Sequence, residues 1–433
     1  MPQKSHSSSP LRRLATSLSS LRQRHKERRR PTGFGFVFAD RVDYLNPEHW
    51  DAVTSSRNVF LRREILRVIE QSGPENIQAR YAIAFREAKP VVAIAAQVVS
   101  VAGQQLQPER PTTRTPNPAG LLKKVLKPAT KAATARLRER ILVAGNLLSW
   151  GFNGIAFAPD EEPSALWPTV AEAMYRIRRA ERLNGQSDFI MVKDLTGLQP
   201  DVEALRRFSY RPLETEPNMV LAIQPGWTSY DDYLAALDAK YRRNAKDQIK
   251  KLTAAGCTVE VLSDLAPQAT RLHELYLAVH SNAPIRLVTL PSTYLPALAQ
   301  AAGEAFRCTV VRQGERVLGF VTSLRDNETA IAYYIGFDRE AAAAGLPIYL
   351  RLLHATIADA IGWGCKNLSL GRTALEPKAG LGAKPEPMSV WLRHRVPTFN
   401  WLLRAALGAV PHAEVPERNP FKGSNTPATV SPG

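Results

Sequence analysis

Cysteine is scarce in this sequence, with three in 433 residues, at positions 257, 308 and 365. An odd, widely separated set offers neither a disulfide framework nor the paired spacing of a zinc site, and it points to a reducing compartment. No apolar run reaches the roughly 18 residues that a membrane-spanning helix requires. The first 32 residues lack the apolar stretch of a secretory leader. Also missing are a Gly-x-Ser-x-Gly elbow, a P-loop and a complete dinucleotide fingerprint. Serine hydrolysis, nucleotide hydrolysis and hydride transfer lose most of their sequence support with them.

Acidic residues are thin in two places. The net charge is +17. Residues 1–30 hold nine basic residues against one acid, and residues 101–140 hold nine against two, so nearly all of the excess sits there. The remainder is close to neutral. Neither stretch interleaves aromatics with its cations, so only non-specific phosphate binding is supported for nucleic acid. Residues 121–142 alternate Lys and Arg with Leu and Val, a pattern suited to an anionic bilayer.

What is present is a globular composition, 44% hydrophobic and 22% charged. The length suits about two to four domains. Residues 1–32 are rich in Ser and Arg and are expected to be a disordered basic tail. They share the composition of a mitochondrial transit peptide, the less favoured reading. Periodicity predicts helices over 50–71, 168–184, 231–253, 265–280, 295–302 and 346–363. Strands are expected over 80–85, 91–99, 141–148, 189–192, 306–311, 317–324, 329–337 and 367–370. Residues 104–118 read as loop, 120–140 as a basic, partly helical insertion, and 399–410 as a closing helix.

Two stretches repeat. Arg86-Glu87-Ala88-Lys89-Pro90-Val91-Val92-Ala93 lies on Arg312-Gln313-Gly314-Glu315-Arg316-Val317-Leu318-Gly319 without a gap, and Gly185–Phe189 lies on Gly364–Leu368. Two helix–hairpin–helix–strand passes in tandem predict a duplicated α/β unit. Domains are expected at 33–225, with an insertion at about 103–140, and at 226–410, followed by a disordered tail over 411–433.

The strand Thr329–Phe337 runs through a Gly-led turn into Gly345-Leu346-Pro347-Ile348-Tyr349-Leu350. Unpaired backbone N–H groups and the positive end of a helix dipole make such a turn an anion site. The run Lys240, Arg242, Arg243, Lys246, Lys250, Lys251 is either a solvated helix face or a phosphate contact. His273 and His280 lie seven apart, with no third ligand to suggest a metal.

The order hairpin, strand, Gly-turn-helix and strand resembles the GNAT acyltransferase superfamily. The tandem arrangement resembles its FemABX-like branch over roughly residues 40–405. Tyr241–Lys246 is similar to the basic helix before the second module in that branch. Asn367–Arg372 is similar to the strand closing the acyl-donor cleft, and Lys378-Ala379-Gly380-Leu381-Gly382 to the segment that follows. The full phosphate loop of the superfamily is absent, and Leu381 stands where an aromatic is common.

The resemblance implies an α/β (α+β) fold of two tandem GNAT-like domains, each a mixed twisted sheet flanked by helices. It implies an N-acyltransferase that moves an acyl group from acyl-CoA or an acyl carrier protein thioester to an amine, without a metal. Tyr334 or Tyr349 would protonate the leaving group, and N–H groups on Ala332–Gly336 would hold the oxyanion. Gly345, Leu346, Arg372, Lys378 and Arg243 would hold the donor. Glu376 is either the base or an ion-pair partner of Arg372 and Lys378. Two alternatives stand beside this. One is an aminoacyl-tRNA-dependent peptidyl transferase acting on a cell-envelope precursor. The other is a non-catalytic scaffold that binds anionic membrane or nucleic acid. The acceptor is expected to be amphiphilic or attached to the envelope. The expected location is cytoplasmic and peripheral to the inner membrane face, through residues 1–32 and 121–142.

Overall fold

The computed structural model describes residues 30–55, 58–102, 138–197, 202–283, 286–396, 399–400 and 418–423. The expectations for the basic tail, the insertion and the closing helix therefore fall mainly outside the described residues.

The first module comprises strand β1 (Gly35–Ala39), helices α1 (Pro47–Thr54) and α2 (Arg63–Ser72), and strands β2 (Ile77–Arg86), β3 (Lys89–Ala102), β4 (Arg138–Ala144) and β5 (Ile155–Phe157). Helix α3 (Pro163–Ala180) and strands β6 (Ser187–Thr196) and β7 (Arg211–Ala222) complete it. The second module begins with helices α4 (Tyr230–Ala236) and α5 (Ala239–Ala254) and strand β8 (Cys257–Val261). Helices α6 (Ala269–His280) and α7 (Tyr294–Ala302) then precede β9 (Phe306–Gln313), β10 (Arg316–Asp326) and β11 (Thr329–Phe337). Helices α8 (Arg339–Ala343) and α9 (Ile348–Gly362), strand β12 (Asn367–Ser369), helix α10 (Leu375–Gly380) and strand β13 (Lys384–His394) follow.

Strand order shows the duplication. The continuous sheet runs β1-β2-β3-β4-β6-β13-β7-β12-β11-β10-β9-β8, with β5 on β3. Read from either end, four antiparallel strands lead to one parallel pair, β4 with β6 or β11 with β12. The last strand of each module then crosses over. β13 lies between β6 and β7, and β7 lies between β13 and β12. The expected pair of sheets is thus a single sheet with exchanged terminal strands.

Alternation along the strands fills both faces. Tyr81, Ile83 and Phe85 of β2 share one core with Cys308 and Val310 of β9, under helices α1, α2, α6 and α7 drawn from both modules. Ala82 and Ala84 face the other way, into a core closed by α3. The second module has its own core on that face, beneath α4, α5 and α9. A sheet covered on both sides needs apolar residues in both registers, which explains near-continuous runs such as Pro90–Val99.

Two predicted helices are each two helices. The 50–71 segment breaks where Val59, Phe60 and Leu61 turn inward and the Val59 N–H reaches Asp326 across the modules at 2.8 Å. The 231–253 segment breaks at Leu237, which is extended and bridges Phe421, while the Asp238 N–H meets the Pro420 carbonyl at 2.8 Å. Tertiary pairing overrides helical periodicity at both points.

The exchange makes the modules interdependent. A fragment of residues 226–433 lacks β7 and leaves the facing edges of β12 and β13 unpaired. It should show no cooperative urea transition by circular dichroism, whereas the full chain should. A cooperative, monomeric fragment would show that the exchanged strand is dispensable.

Candidate active site

The site begins with a bulge. On β10, Val321 and Ser323 pair with Ile335 and Ala332, so Tyr333 and Tyr334 of β11 stand opposite the single residue Thr322. Thr322 is fully buried, and its hydroxyl accepts the Tyr334 N–H at 2.9 Å. A bulge bends its strand and sharpens the local twist. Accordingly β11 keeps its parallel pairing with β12 for three residues only, ending at Ile331 opposite Ser369. Beyond that point the two strands diverge into a fork.

Side chains from the first module reach this fork. The Trp150 indole donates to the Ser369 hydroxyl at 2.7 Å, and its ring lies 6.4 Å from that of Tyr333. Gly371 follows at φ +80°, and a Cβ there would come within 3.2 Å of the Trp150 ring, so glycine suits both the turn and the contact. The Tyr334 hydroxyl donates to the Leu148 carbonyl at 2.9 Å. Asn218 of β7 accepts from Ser369 at 3.0 Å and from the Gly371 N–H at 3.1 Å. Aromatic rings form the adjoining wall. Tyr276 packs edge-on to Tyr334 at 5.6 Å, and the Tyr294 and Tyr333 hydroxyls meet at 2.9 Å.

Charge is concentrated where the fork meets the first module. Asp194, fully buried, accepts from Arg372 at 2.9 Å and from the Gly151 N–H at 3.2 Å, and it also pairs with Lys193. The Lys193 ammonium donates to the Ser149 carbonyl at 2.7 Å, and burial lowers its pKa. Two cations therefore share one carboxylate. Lys378 on α10 is 3% exposed, and its ammonium makes no hydrogen bond or ion pair among the described residues. Burial pushes its pKa down to about 8, opposed only by the Glu216 carboxylate. A buried charge without a partner is costly, and such groups mark functional sites more often than structural ones.

The remaining predicted residues sit as follows. The N–H groups of Gly345 and Leu346 were expected to meet donor phosphates. Instead they donate to the carbonyls of Ala342 at 3.0 Å and Ala341 at 3.3 Å, closing α8 with a left-handed glycine. The free backbone donors lie further on, at Tyr349 and Leu350 in the first turn of α9. The Tyr349 ring packs 5.8 Å from Phe337, and burial raises its hydroxyl to about 12. Burial also holds the Tyr334 hydroxyl well above the ordinary tyrosine range. Glu376 is exposed and pairs with Arg418, away from both Arg372 and Lys378. Arg372 is tied to Asp194. Arg243 lies on the exposed face of α5.

His273 and His280 flank Tyr276 in a ring stack, bonded to the Leu290 carbonyl at 2.8 Å and the Thr289 hydroxyl at 3.1 Å. Among the described residues no group of three or more His, Cys, Asp or Glu could hold a metal ion. Sequence reasoning missed Trp150, Asn218, Ser369 and the Lys193–Asp194 pair. For Trp150 the signal is an aromatic and amide-rich turn, Asn146–Asn153, wedged between strands.

A bulged strand parting from a parallel neighbour, with a helix following it, defines a mixed α/β domain. Residues 239–379 match the family described as Acetyltransferase (GNAT) domain. No curated protein matches the chain. Among solved structures it is similar to FemX, at 10% identity over 80% of this chain and 95% of that one, with a TM-score of 0.49. It is similar to a tandem GNAT protein from the clavulanic acid biosynthesis pathway, at 11% identity over 83% and 98%, with a TM-score of 0.47. It is also similar to the C-terminal domain of a lysylphosphatidylglycerol synthetase from Agrobacterium fabrum, at 12% identity over 84% and 96%, with a TM-score of 0.46.

Asp194 adopts φ +53°, a conformation asparagine also tolerates, so Asp194→Asn removes charge without backbone strain. It leaves Lys193 and Arg372 facing each other without an anion and should cost roughly 3–5 kcal/mol. Urea denaturation measures this, and a loss below about 1 kcal/mol would mean that Asp194 is not the counter-charge holding the two cations.

Proposed function

We propose that the second module transfers an acyl group from a thioester, on coenzyme A or an acyl carrier protein, to an amine bound against the first module. The observation that carries this is the fork opened by the Tyr333–Tyr334 bulge, in the segment that matches the GNAT family. An extended pantetheine arm fits between two diverging strands by pairing with the backbone groups they leave free. Its phosphates would meet the Tyr349 and Leu350 N–H groups at the positive end of α9.

The chemistry is direct. The neutral amine attacks the thioester carbonyl and forms a tetrahedral oxyanion, which backbone N–H groups beside the bulge stabilise. The intermediate then expels the thiolate, and the proton lost by the amine ends on the sulfur. Lys378 is protonated below about pH 8 and has no hydrogen-bonded carboxylate of its own. Its charge is therefore available to a donor phosphate or to the oxyanion. Tyr334 serves as a positioning group, since its hydroxyl already donates to the Leu148 carbonyl.

One further observation favours a second donor. Helix α5 buries only Ala245 and Leu252, while Lys240, Arg243, Lys246, Lys250 and Lys251 are exposed. Leu252 packs in the same cluster as Ile348, the first residue of α9. A cationic face beside the donor end suits an aminoacyl ester of RNA in the FemABX-like manner. The two donors give opposite outcomes under ribonuclease, which would abolish transfer in a cell extract only for the RNA-borne donor. Among the described residues no helix is long and apolar enough to cross a membrane.

Coenzyme A should raise the melting temperature of the full chain more than dephospho-coenzyme A does, and stabilisation by neither would remove the thioester reading. If Lys378 acts as a cation, kcat/KM should fall as pH rises through about 8, the value burial gives it. Lys378→Arg should keep its plateau to higher pH, and Lys378→Met should lose roughly 100-fold at neutral pH. A Lys378→Met enzyme with the parental pH profile would exclude this role.

A further inference from the structure

Between β6 and the fork, where β13 and the start of β7 meet the last turn of α3, three side chains converge with no ion-pair partner among the described residues. Tyr210, immediately before β7, is fully buried, and its hydroxyl makes no well-aligned hydrogen bond, its polar neighbour being the Arg393 guanidinium. The Arg393 guanidinium on β13 lies 5.9 Å from the Tyr210 ring centre. Arg178, in the last turn of α3, covers the edge of the group, with its guanidinium 5.6 Å from the Tyr175 ring. Neither arginine has an ion-pair partner among the described residues. The nearby carboxylates are committed elsewhere, Asp188 to Arg395 at 2.9 Å and Glu203 to Arg206. Glu139 lies against Asp188, where burial and that neighbour raise its pKa.

The electrostatics agree with the geometry. Burial and the charge of Arg393 depress Arg178, while burial raises the Tyr210 hydroxyl to about 12 against the pull of both arginines. Two half-buried cations close enough to repel, beside a buried hydroxyl, are an unfavourable arrangement when empty. It becomes favourable around an oxoanion. A carboxylate has two oxygens and is saturated by one guanidinium fork. A phosphate offers a third oxygen to the second fork or the phenol, and charge enough for both cations.

We propose that Arg178, Arg393 and Tyr210 form a phosphate-binding site separate from the acyl-transfer fork. Arg178 and Tyr210 belong to the first module, and Arg393 lies on the strand that the second module inserts into it, opposite Ile190 of β6. The bound phosphate clamps the exchanged strand in place. The ligand is a phosphate ester, either a soluble metabolite or a lipid headgroup.

The test uses the full chain with Arg178→Gln and Arg393→Gln, both at half-exposed positions that tolerate an uncharged side chain, and Tyr210→Phe, which keeps the ring. Inorganic phosphate, titrated at constant ionic strength, should broaden its ³¹P resonance with the parent protein. Binding should weaken about tenfold or more in each arginine variant and by less in Tyr210→Phe. Sedimentation with phosphatidylcholine vesicles, with and without phosphatidic acid, separates the sources. A headgroup ligand gives phosphatidate-dependent binding that falls in the arginine variants, and a soluble ligand gives phosphate binding that vesicles do not mirror. No broadening with the parent, or equal broadening in parent and arginine variants, overturns the proposal.

Discussion

Backbone pairing between β7 and β13 is the constraint on which the molecule depends. Each of these strands satisfies its N–H and C=O groups on neighbours that belong to the other half of the chain. Without that reciprocal arrangement, the facing edges of β6, β13, β7 and β12 would stand open in the middle of the sheet. The two halves are consequently not beads joined by a linker. The helices α1, α2, α6 and α7 reinforce the join by packing into one apolar core from both sides.

The fork inherits its shape from this arrangement. β7 lies beside β12, so its Asn218 reaches Ser369 and Gly371 at the place where β12 and β11 part. The turn Asn146–Asn153 is held against the same place by Trp150 and by the Lys193–Asp194–Arg372 group. Arg372, expected to meet a donor, is thereby part of the join, and Lys378 is the cation left without a local partner. A low-dielectric setting strengthens whatever that ammonium meets.

Much of the second module was legible. Thr329–Phe337 ends where its apolar run ends, and the hairpin before it closes on Gly314 as its turn residues suggest. β7 and β13 were not legible, because Pro212, Pro217, Pro385 and Pro387 argue against a central strand in any local reading. The register shift between Glu386 and Met388 accommodates Pro387, and only the tertiary exchange explains the pairing there. In the site, the Gly-led turn was correctly seen as special and its N–H groups wrongly aimed, since a glycine that closes one helix looks in sequence like one that opens the next. The partner of Glu376 lies 42 residues away, and the burial of Lys378 contradicts the usual exposure of lysine. Neither could be read from spacing.

The crossing of the last strands also sets an order of events during synthesis. A chain emerging from the ribosome ordinarily folds its N-terminal domain while the rest is still being made. Here the gap between β6 and β7 waits for residues 384–394, so the first module reaches its final sheet only after those residues have left the exit tunnel. Such distant pairings also make folding slow. The half that appears first is the half that must wait, with its central strand edges in need of protection in the interval.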